Sequence, residues 1–220
     1  MTQTAFIFDL DGVIVDTARF HFIAWKMIAD NLGIPFSEKE NEDLKGVSRV
    51  DSLKKILKMG NKTLSEDEFN RLLVQKNEDY LTRVDTLDEN DILPGVVPFL
   101  SKIEALNIPI ALGSASKNAR KILTKIGLKS RFRVIVDGNL IQKPKPNPEV
   151  FLKAAELLQV SPKNCIVFED STAGIQAANT ATMTSVGIGN ASVLNQADFV
   201  YDSFKEISDS ALQMIKNFKK

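Results

Sequence analysis

The chain has 220 residues, and its 28 basic and 28 acidic side chains give no net charge. A hydrophobic fraction of 44% and a charged fraction of 25% are typical of globular proteins, so they exclude wholesale disorder. Non-specific nucleic-acid binding needs an excess of basic charge to displace counterions from phosphates, and the neutral total lacks that excess. The length allows one large domain or two modest ones, and it can bury a core without disulfides.

The sequence carries no sign of export or of membrane insertion. Cys165 is the single cysteine, and its apolar neighbours indicate a packed core thiol rather than a reactive one. Residues 1–4 lack the positive charge of a signal peptide, and Asp9 and Asp11 interrupt the apolar run that follows. No stretch reaches the ~20 apolar residues that a membrane helix needs. We therefore expect a soluble cytoplasmic protein.

Short apolar runs recur along the chain, and each is followed by polar residues and then by a helical pattern. Nearly continuous apolar strands that alternate with helices predict a parallel sheet covered on both faces. This is the doubly wound α/β class, in which functional sites lie at the carboxyl ends of the strands. The predicted strands are residues 5–8, 108–112, 134–136, 165–168, 184–188 and 199–201, and the predicted helices between them are 98–106, 117–126, 148–158 and 173–181.

The stretch between the first two predicted strands, roughly residues 17–90, is too long for one crossover and carries several helical patterns. Capping boxes at Ser48 and Ser65 indicate where two of its helices begin. We expect a small all-helical domain at 17–90, inserted above the strand ends of an α/β core formed by residues 1–16 and 91–220. The two chain crossings between these domains would make a hinge.

Two aspartates, Asp9 and Asp11, follow the first predicted strand directly, and Gly12 after them permits a turn. Two carboxylates at one strand end repel each other, so the pair indicates a bound cation or a catalytic demand. The alternative is an acidic loop with both groups in water, because the pattern Asp-x-Asp is common.

Three further segments at or after predicted strand ends carry polar or charged groups that could act together with Asp9 and Asp11. Residues 114–118 lead into a predicted helix, where hydroxyls, backbone N–H groups and Lys117 could bind an anion, although an ordinary helix cap would look the same. Prolines flank Lys145, which could be held in place or lie in a solvated turn, and Glu169 and Asp170 end another strand. Together these groups are what Mg²⁺-assisted phosphoryl transfer requires.

These four segments resemble, in order, the four motifs of the haloacid dehalogenase superfamily. The resemblance implies that Asp9 is the nucleophile that becomes an aspartyl phosphate and that Asp11 is the general acid/base. It also implies that Ser114 is the hydroxyl of the second motif and Lys145 the lysine of the third. Lys143 is a rival for the third position, but the run that follows Lys145 fits the family pattern.

The resemblance also implies a metal and a cap. In the superfamily, Mg²⁺ is bound by the first aspartate, by the backbone carbonyl of the second and by the acids of the fourth motif. Here these residues are Asp9, Asp11, Glu169 and Asp170. The helical insert resembles the superfamily's cap domain, which supplies substrate specificity.

The insert carries cations that suit a phosphorylated substrate. Arg49 follows Lys45 and a flexible glycine at a predicted helix start, and its guanidinium can bind a phosphate through two N–H groups. Lys76 lies on an apolar helix face, so it either reaches back to solvent or points into a cavity between insert and core. His21 and Trp25 are neighbours on one predicted helix, where Trp25 could equally be packed in a core.

The same segments resemble the branch of the superfamily that interconverts β-D-glucose 1-phosphate and β-D-glucose 6-phosphate through a bound β-D-glucose 1,6-bisphosphate. We therefore expect an Mg²⁺-dependent mutase acting on small-molecule sugar phosphates, a monomer that binds neither nucleic acid nor membrane. The alternatives are a sugar-phosphate or phosphoglycolate-type phosphatase on the same fold, and a non-catalytic phosphosugar-binding protein. The implied substrate-binding residues are His21, Trp25, Lys45, Gly46, Val47, Ser48, Arg49, Ser52, Lys76, Ser114, Ala115, Ser116, Lys117 and Asn118.

Overall fold

The computed structural model describes residues 4–218, and it contains a parallel β-sheet with helices on both faces. The predicted doubly wound α/β class is confirmed. The strands are β1 (Ala5–Phe8), β2 (Ile110–Gly113), β3 (Val134–Val136), β4 (Cys165–Glu169), β5 (Thr184–Ile188) and β6 (Phe199–Tyr201), arranged in the order β3-β2-β1-β4-β5-β6.

The first five α-helices all lie between β1 and β2, and one α-helix follows each of β2, β3, β4 and β6. The four helices predicted after β1 and the insert are α5 to α8, each within two residues of its expected ends. The α-helices are α1 (Ala18–Asn31), α2 (Glu38–Glu42), α3 (Arg49–Met59), α4 (Glu66–Val84), α5 (Val96–Ala105), α6 (Ala119–Lys125), α7 (Glu149–Leu158), α8 (Thr172–Thr180) and α9 (Asp209–Asn217).

Strand β2 begins two residues later than predicted. The sequence suggested a start at Ile108, but the Ile108 N–H donates to the Ile103 carbonyl at the end of α5 (3.2 Å). Pro109 has no N–H to offer the ladder, so the strand proper starts at Ile110. The Pro109 carbonyl still accepts a hydrogen bond from the Phe6 N–H (3.0 Å), which sets β2 alongside β1.

The central strands are buried on both faces, which explains their continuous apolar sequence. Alternate side chains of β1 enter different cores: Phe6 and Phe8 enter one, and Ile7 packs with Phe151 of α7 in the other. Phe8 and its neighbour Phe168 on β4 stack with ring centroids 4.7 Å apart. This packing holds the ends of β1 and β4 side by side.

The helical insert has a hydrophobic cluster of its own, built from residues of α1, α3 and α4 such as Trp25, Leu53 and Leu72. Helices α3 and α4 begin where the sequence indicated, since Ser48 and Ser65 each accept a backbone N–H at their helix start (3.2 and 3.3 Å). Both are simple N-caps, and the reciprocal bond of a full capping box is found instead at Ser37.

The expectation for Cys165 is confirmed. Cys165 is fully buried in the sheet, and burial raises the pKa of its thiol to about 12, so it is a core thiol. Among the helices within residues 4–218, none has the length and apolar composition to cross a membrane.

Candidate active site

The site lies where the carboxyl ends of β1, β2 and β4 meet. Because β1 sits between the other two strands, Asp9, Ser114 and Glu169 come together at one edge of the sheet. Between this edge and the helical insert lies a cavity of about 500 Å³. Residues proposed from the sequence that line it are Asp9, Asp11, His21, Trp25, Lys45, Gly46, Val47, Ser48, Arg49, Ser52, Lys76, Ser114, Ala115, Ser116, Lys117, Asn118 and Asp170.

Two of the proposed residues, Lys145 and Glu169, are buried beneath the cavity. Lys145 Nζ lies 2.6 Å from both Asp9 Oδ1 and Glu169 Oε1. Burial lowers the pKa of Lys145, but the Asp9 and Glu169 carboxylates outweigh it and hold that pKa above its usual range. Lys143, the rival for this role, is exposed and makes no contact with Asp9. Lys145 is therefore a permanent cation beside Asp9.

The carboxylates of Asp9, Glu169 and Asp170 each offer an oxygen, and these oxygens lie within 4.8 Å of one another. Hard divalent cations such as Mg²⁺ prefer such oxygen ligands, so the donor set fits the metal that the motifs imply. Gly12 leaves room for it: its φ is +80°, and a Cβ there would collide with the Asp170 carboxylate. Burial and the charge of Glu169 raise the pKa of Asp170, because both disfavour its ionised form. A cation bound beside these carboxylates would favour ionisation.

Asp11 has different surroundings from Asp9. Its side chain is outside the group of carboxylates that could hold a metal ion, and it accepts a hydrogen bond from the Thr17 hydroxyl. Burial, reinforced by the charge of Asp9, raises the pKa of Asp11 to about 7, whereas burial raises that of Asp9 to about 6. A carboxyl group with a pKa near neutrality can both donate and accept a proton, as general acid/base catalysis requires.

The wall formed by the insert is cationic. Lys76 is 2% exposed, so its side chain points into the cavity and does not reach back to bulk solvent. Its Nζ lies 2.8 Å from His21 Nδ1 and 4.9 Å from the centre of the Trp25 ring. Burial lowers the pKa of Lys76 to about 7 and, together with the Lys76 charge, lowers the pKa of His21. The Lys76 ammonium can therefore donate a hydrogen bond to neutral His21. Trp25 packs in the hydrophobic cluster of the insert and also lines the cavity.

Two other cations of the insert line the cavity. Arg49 Nη1 donates to the Leu73 carbonyl (3.3 Å), which leaves the other guanidinium N–H groups free for a ligand. Lys45 Nζ forms ion pairs with Glu42 (2.9 Å) and, across the cavity, with Asp170 (3.6 Å). The Lys45 pair brings the insert against the acidic floor of the site.

The segment 114–118 is a loop stabilised by its own hydroxyl groups. Ser114 Oγ accepts the N–H of Ser116 (3.1 Å), and Ser116 Oγ accepts the N–H of Asn118 (3.2 Å). Asn118 Nδ2 also donates to Asn77 Oδ1 on α4 (3.0 Å), so the loop touches the insert. Lys117 is exposed at the cavity rim.

A family model described as "haloacid dehalogenase-like hydrolase" matches residues 3–182. The chain belongs to this family. The acidic strand ends, the serine loop and the buried lysine all lie within the matched residues.

Members of the haloacid dehalogenase family that are similar to this chain differ in activity. The beta-phosphoglucomutase of Bacillus subtilis (strain 168) is 43% identical over 96% of this chain and 93% of that protein. A phosphorylated carbohydrates phosphatase of Thermotoga maritima is 31% identical over 80% of this chain and 81% of that protein. The crystal structure of beta-phosphoglucomutase from Clostridium difficile superposes with a TM-score of 0.94, at 45% identity and 98% coverage of both chains.

The residues of the site that were absent from the sequence-based set include Thr17, which contacts Asp11, and Asn77 and Tyr80, which line the cavity. Thr17 precedes α1 and has the signature of an N-cap, but it makes no capping bond and binds Asp11 instead. Tyr80 lies one turn after Lys76, and this spacing places both residues on the cavity side of α4. Asn77 carried no signal beyond its adjacency to Lys76.

Replacing Lys145 by methionine should destabilise the protein by about 3–5 kcal/mol, because a cation shared by two buried carboxylates would be lost. Urea unfolding in metal-free buffer would measure the change. Lys143→Met is the matched control, since this exposed lysine in the same loop should matter by less than about 0.5 kcal/mol. Equal stability of the two variants would contradict a structural role for the Lys145 ion pairs.

Proposed function

We propose that this protein interconverts β-D-glucose 1-phosphate and β-D-glucose 6-phosphate through an aspartyl phosphate and an enzyme-bound β-D-glucose 1,6-bisphosphate. The observation that carries the proposal is the division of charge in one cavity. Asp9 and Asp11 lie on its floor, while Arg49, Lys76 and Lys117 lie on its walls and rim. A bisphosphate could thus be held at one phosphate while the other reacts. The 43% identity to a beta-phosphoglucomutase over most of both chains supports the same activity.

Asp9 is the nucleophile in this proposal. One carboxylate oxygen attacks the phosphorus of a bound bisphosphate, and the bond from that phosphorus to the sugar oxygen breaks. Lys145, 2.6 Å from Asp9, neutralises part of the negative charge that would otherwise repel the incoming phosphate. The ion pair also keeps the carboxylate in one orientation, as an in-line attack requires.

Asp11 is the general acid/base in this proposal. In its protonated form it gives a proton to the sugar oxygen that leaves phosphorus; ionised, it takes the proton from the sugar hydroxyl that attacks the aspartyl phosphate. Rotation of the sugar between these two steps exchanges the phosphorylated position. Because burial raises the pKa of Asp11 to about 7, both forms are populated near neutral pH.

Asp9, Glu169 and Asp170, with the Asp11 backbone carbonyl, would hold Mg²⁺ in this proposal. When bound there, Mg²⁺ supplies positive charge to the phosphoryl oxygens. The Ser114 hydroxyl would bind an oxygen of the transferring phosphoryl group from the neighbouring strand end.

In this proposal the substrate is bound by residues of two domains, a cap at 17–90 and a core at 1–16 and 91–220. The separate hydrophobic cluster of α1, α3 and α4 supports this division; residues 1–3 and 219–220, assigned to the core, lie outside the described residues. The cap would surround the sugar, and the cap and the serine loop together would grip the distal phosphate. The cap residues are His21, Trp25, Lys45, Gly46, Val47, Ser48, Arg49, Ser52 and Lys76, and the loop residues are Ala115, Ser116, Lys117 and Asn118.

The test is to supply β-D-glucose 1-phosphate, a trace of the bisphosphate and Mg²⁺, and to measure glucose 6-phosphate and inorganic phosphate separately. Glucose 6-phosphate without matching phosphate release is the expected result, and chelation of Mg²⁺ should abolish it. Stoichiometric phosphate release would make the protein a phosphatase, and no turnover would leave a sugar-phosphate-binding protein.

A sugar-phosphate phosphatase is the second candidate, favoured by the 31% identity to the Thermotoga maritima phosphatase. The two reactions share the aspartyl phosphate and differ in whether water or a sugar hydroxyl attacks it. Water is at ~55 M, so a mutase must keep Asp11 unproductive until the sugar closes the cap. The contact between Lys45 and Asp170 supports such coupling of cap position to the core.

Arg49 provides a prediction specific to the mutase. Arg49→Ala should lower kcat/KM for the sugar phosphate by about 10- to 150-fold, the equivalent of one charge-assisted hydrogen bond. Arg49→Lys should lower kcat/KM less, because lysine keeps the positive charge and loses only the bidentate hydrogen bonding of the guanidinium. Hydrolysis of acetyl phosphate, which has no distal phosphate, should hardly change.

The control for Arg49 is Arg71→Ala, an exposed arginine of α4 that does not line the cavity. It should leave both reactions unchanged. If Arg49→Ala slows sugar-phosphate turnover and acetyl phosphate hydrolysis equally, Arg49 either stabilises the fold or binds the reacting phosphate. The proposal that Arg49 binds the distal phosphate would then be wrong.

We also propose that the protein acts as a cytoplasmic monomer on free sugar phosphates. The cavity is lined by residues of a single chain, so no second chain is needed to complete it. The one cysteine is buried, which agrees with a reducing compartment. Sedimentation velocity at micromolar concentration would test the monomer.

A further inference from the structure

The segment between Glu104 and Asp137 carries a charge imbalance that the neutral chain as a whole does not show. Residues 105–136 contain seven lysines and arginines and no acidic residue. Such a run leaves positive charge on the surface unless acids from other segments neutralise it. The seven cations are Lys117, Arg120, Lys121, Lys125, Lys129, Arg131 and Arg133.

Acids from other segments pair with some of these cations. Lys121 and Lys125 share the Asp85 carboxylate, at 2.9 and 3.3 Å. Arg131 donates to both carboxylate oxygens of Glu104, at 2.8 and 2.6 Å. These three cations are therefore already occupied by ion pairs.

Three of the remaining cations line a surface groove of about 610 Å³ beside the edge strand β3. Arg120 belongs to α6, Lys129 to the helical turn Lys129–Arg131, and Arg133 directly precedes β3. Among the described residues, no acidic side chain lines this β3 groove, and none of its lining residues lines the reaction cavity. The groove is therefore a basic concavity separate from the reaction cavity.

Arg120 is held in place by contacts that leave part of its guanidinium available. Its Nε donates to the Asp137 carboxylate (2.9 Å), and its Nη2 donates to the Ile135 carbonyl (2.7 Å). Its Nη1 has no hydrogen-bond partner among the described residues, and the side chain is half-exposed. A guanidinium that is already oriented loses little conformational entropy when it binds a ligand.

Lys129 and Arg133 supply the positive charge that is not neutralised. Both are exposed, and within the part of the chain that the structure describes neither has an acidic partner. Asp137 already balances the charge of Arg120, so the groove has two cations without a counter-charge. A phosphate monoester carries about −1.5 to −2 charges near neutral pH, which matches these two cations better than a monoanion does.

The floor of the β3 groove is apolar. Its buried lining residues are Leu123, Phe132 and Ile135. The Phe132 ring packs edge-on against Phe8 in the core, with ring centroids 6.3 Å apart, so the floor is fixed. A ligand with an apolar face could cover this floor and remove apolar surface from water.

We propose that the β3 groove is a phosphate-binding site outside the reaction cavity, and that it takes a phosphate monoester whose organic part has an apolar face. Lys129, Arg133 and the free Nη1 of Arg120 bind the phosphoryl oxygens. The organic part lies over Leu123 and Phe132. The inference goes beyond the proposed function and does not depend on it, because the two sites share no residue.

Phenyl phosphate is the probe, because it is a dianion that carries a flat apolar ring. It would be titrated into the ¹⁵N-labelled protein in buffer with EDTA, which suppresses turnover, and backbone amide shifts would be followed by NMR. Gly127 lines the β3 groove and Gly46 lines the reaction cavity, so their amides report the two sites separately. We expect a saturable shift at Gly127. Inorganic phosphate and the monoanion benzenesulfonate should bind there at least about fivefold more weakly, because each lacks one part of the recognition.

Arg133→Met and Lys129→Met test the cations. Each should weaken binding at Gly127 at least about tenfold, as loss of a charge-assisted hydrogen bond would, and leave the Gly46 response unchanged. Both side chains are exposed, so the variants should fold. Lys163→Met is the matched control, since this exposed lysine lines neither site, and it should change neither response.

Three outcomes would overturn the inference. A Gly127 shift that does not saturate, or that survives both substitutions, would mean only a general attraction to the basic segment. Equal affinity for inorganic phosphate and phenyl phosphate would rule out the apolar floor, and with it the proposed class of ligand. A Gly46 response that weakens together with that of Gly127 in Arg133→Met would contradict the separation of the two sites.

Discussion

Replacing Asp9 by asparagine is expected to abolish sugar-phosphate turnover and covalent phosphate incorporation. An amide oxygen is a poor nucleophile, and the substitution also removes one of the three carboxylates of the proposed Mg²⁺ site. The fold should survive, because the side chains are nearly the same size and Lys145 keeps its 2.6 Å contact with Glu169. Incorporation of radiolabelled phosphate from the bisphosphate, with a thermal melt of the same sample, would measure both effects.

The matched control for Asp9 is Asp16→Asn, an exposed aspartate a short distance along the same segment that does not line the cavity. It should incorporate phosphate like the wild type. A folded Asp9→Asn variant that is still phosphorylated to a substantial level would show that another residue is the nucleophile.

Replacing Asp11 by asparagine should lower kcat by ~10²–10⁴, the usual contribution of a general acid/base. Asparagine cannot exchange a proton, although its carbonyl oxygen can still accept the Thr17 hydroxyl that binds Asp11. Because the proposed metal contact of Asp11 is its backbone carbonyl, Mg²⁺ affinity should change little. Turnover at saturating bisphosphate and an Mg²⁺ titration would separate these two effects.

A near wild-type kcat in Asp11→Asn would remove Asp11 from proton transfer. A large loss of Mg²⁺ affinity would instead assign its carboxylate to the metal. The prediction also contrasts with that for Asp9, since slow phosphorylation of Asp9 should remain detectable in Asp11→Asn and should be absent in Asp9→Asn.

Most of the fold was predictable because the sheet is buried on both faces. In β1 every residue is buried, so the strand appears in the sequence as an unbroken apolar run. The error at β2 arose from local chemistry: Ile108 is apolar like a strand residue, but it closes the end of α5, and Pro109 cannot join the ladder as a donor. The strand order depends on packing between distant segments, which no local pattern records.

The motif residues of the site were also predictable. Asp9, Ser114 and Asp170 stand at strand ends, and parallel strands bring such ends to one edge of the sheet. Lys145 was chosen over Lys143 from the pattern that follows it, and its 2.6 Å contact with Asp9 agrees with that choice. The catalytic roles of these residues stay predictions until the variants are measured.

Other parts of the site could not be assigned from residue type. Lys76 on an apolar helix face could have reached back to solvent, and only the packing of α4 against α1 turns it into the cavity beside His21. Thr17 and Tyr80 have ordinary roles in most helices, as a cap and as a core residue. Thr17 binds Asp11 only six residues away, whereas Tyr80 reaches the cavity because α4 lies over the end of β1.

By itself the sequence determined the α/β class, the positions of the strand ends and the acids, hydroxyl and lysine that they carry, because burial pattern and residue chemistry are local properties. The tertiary structure alone decided which of these groups touch and which cations face the cavity. Contacts such as Lys145 with Asp9 join residues far apart in the chain. Their distances, and the pKa values that follow from shared burial, are set by packing.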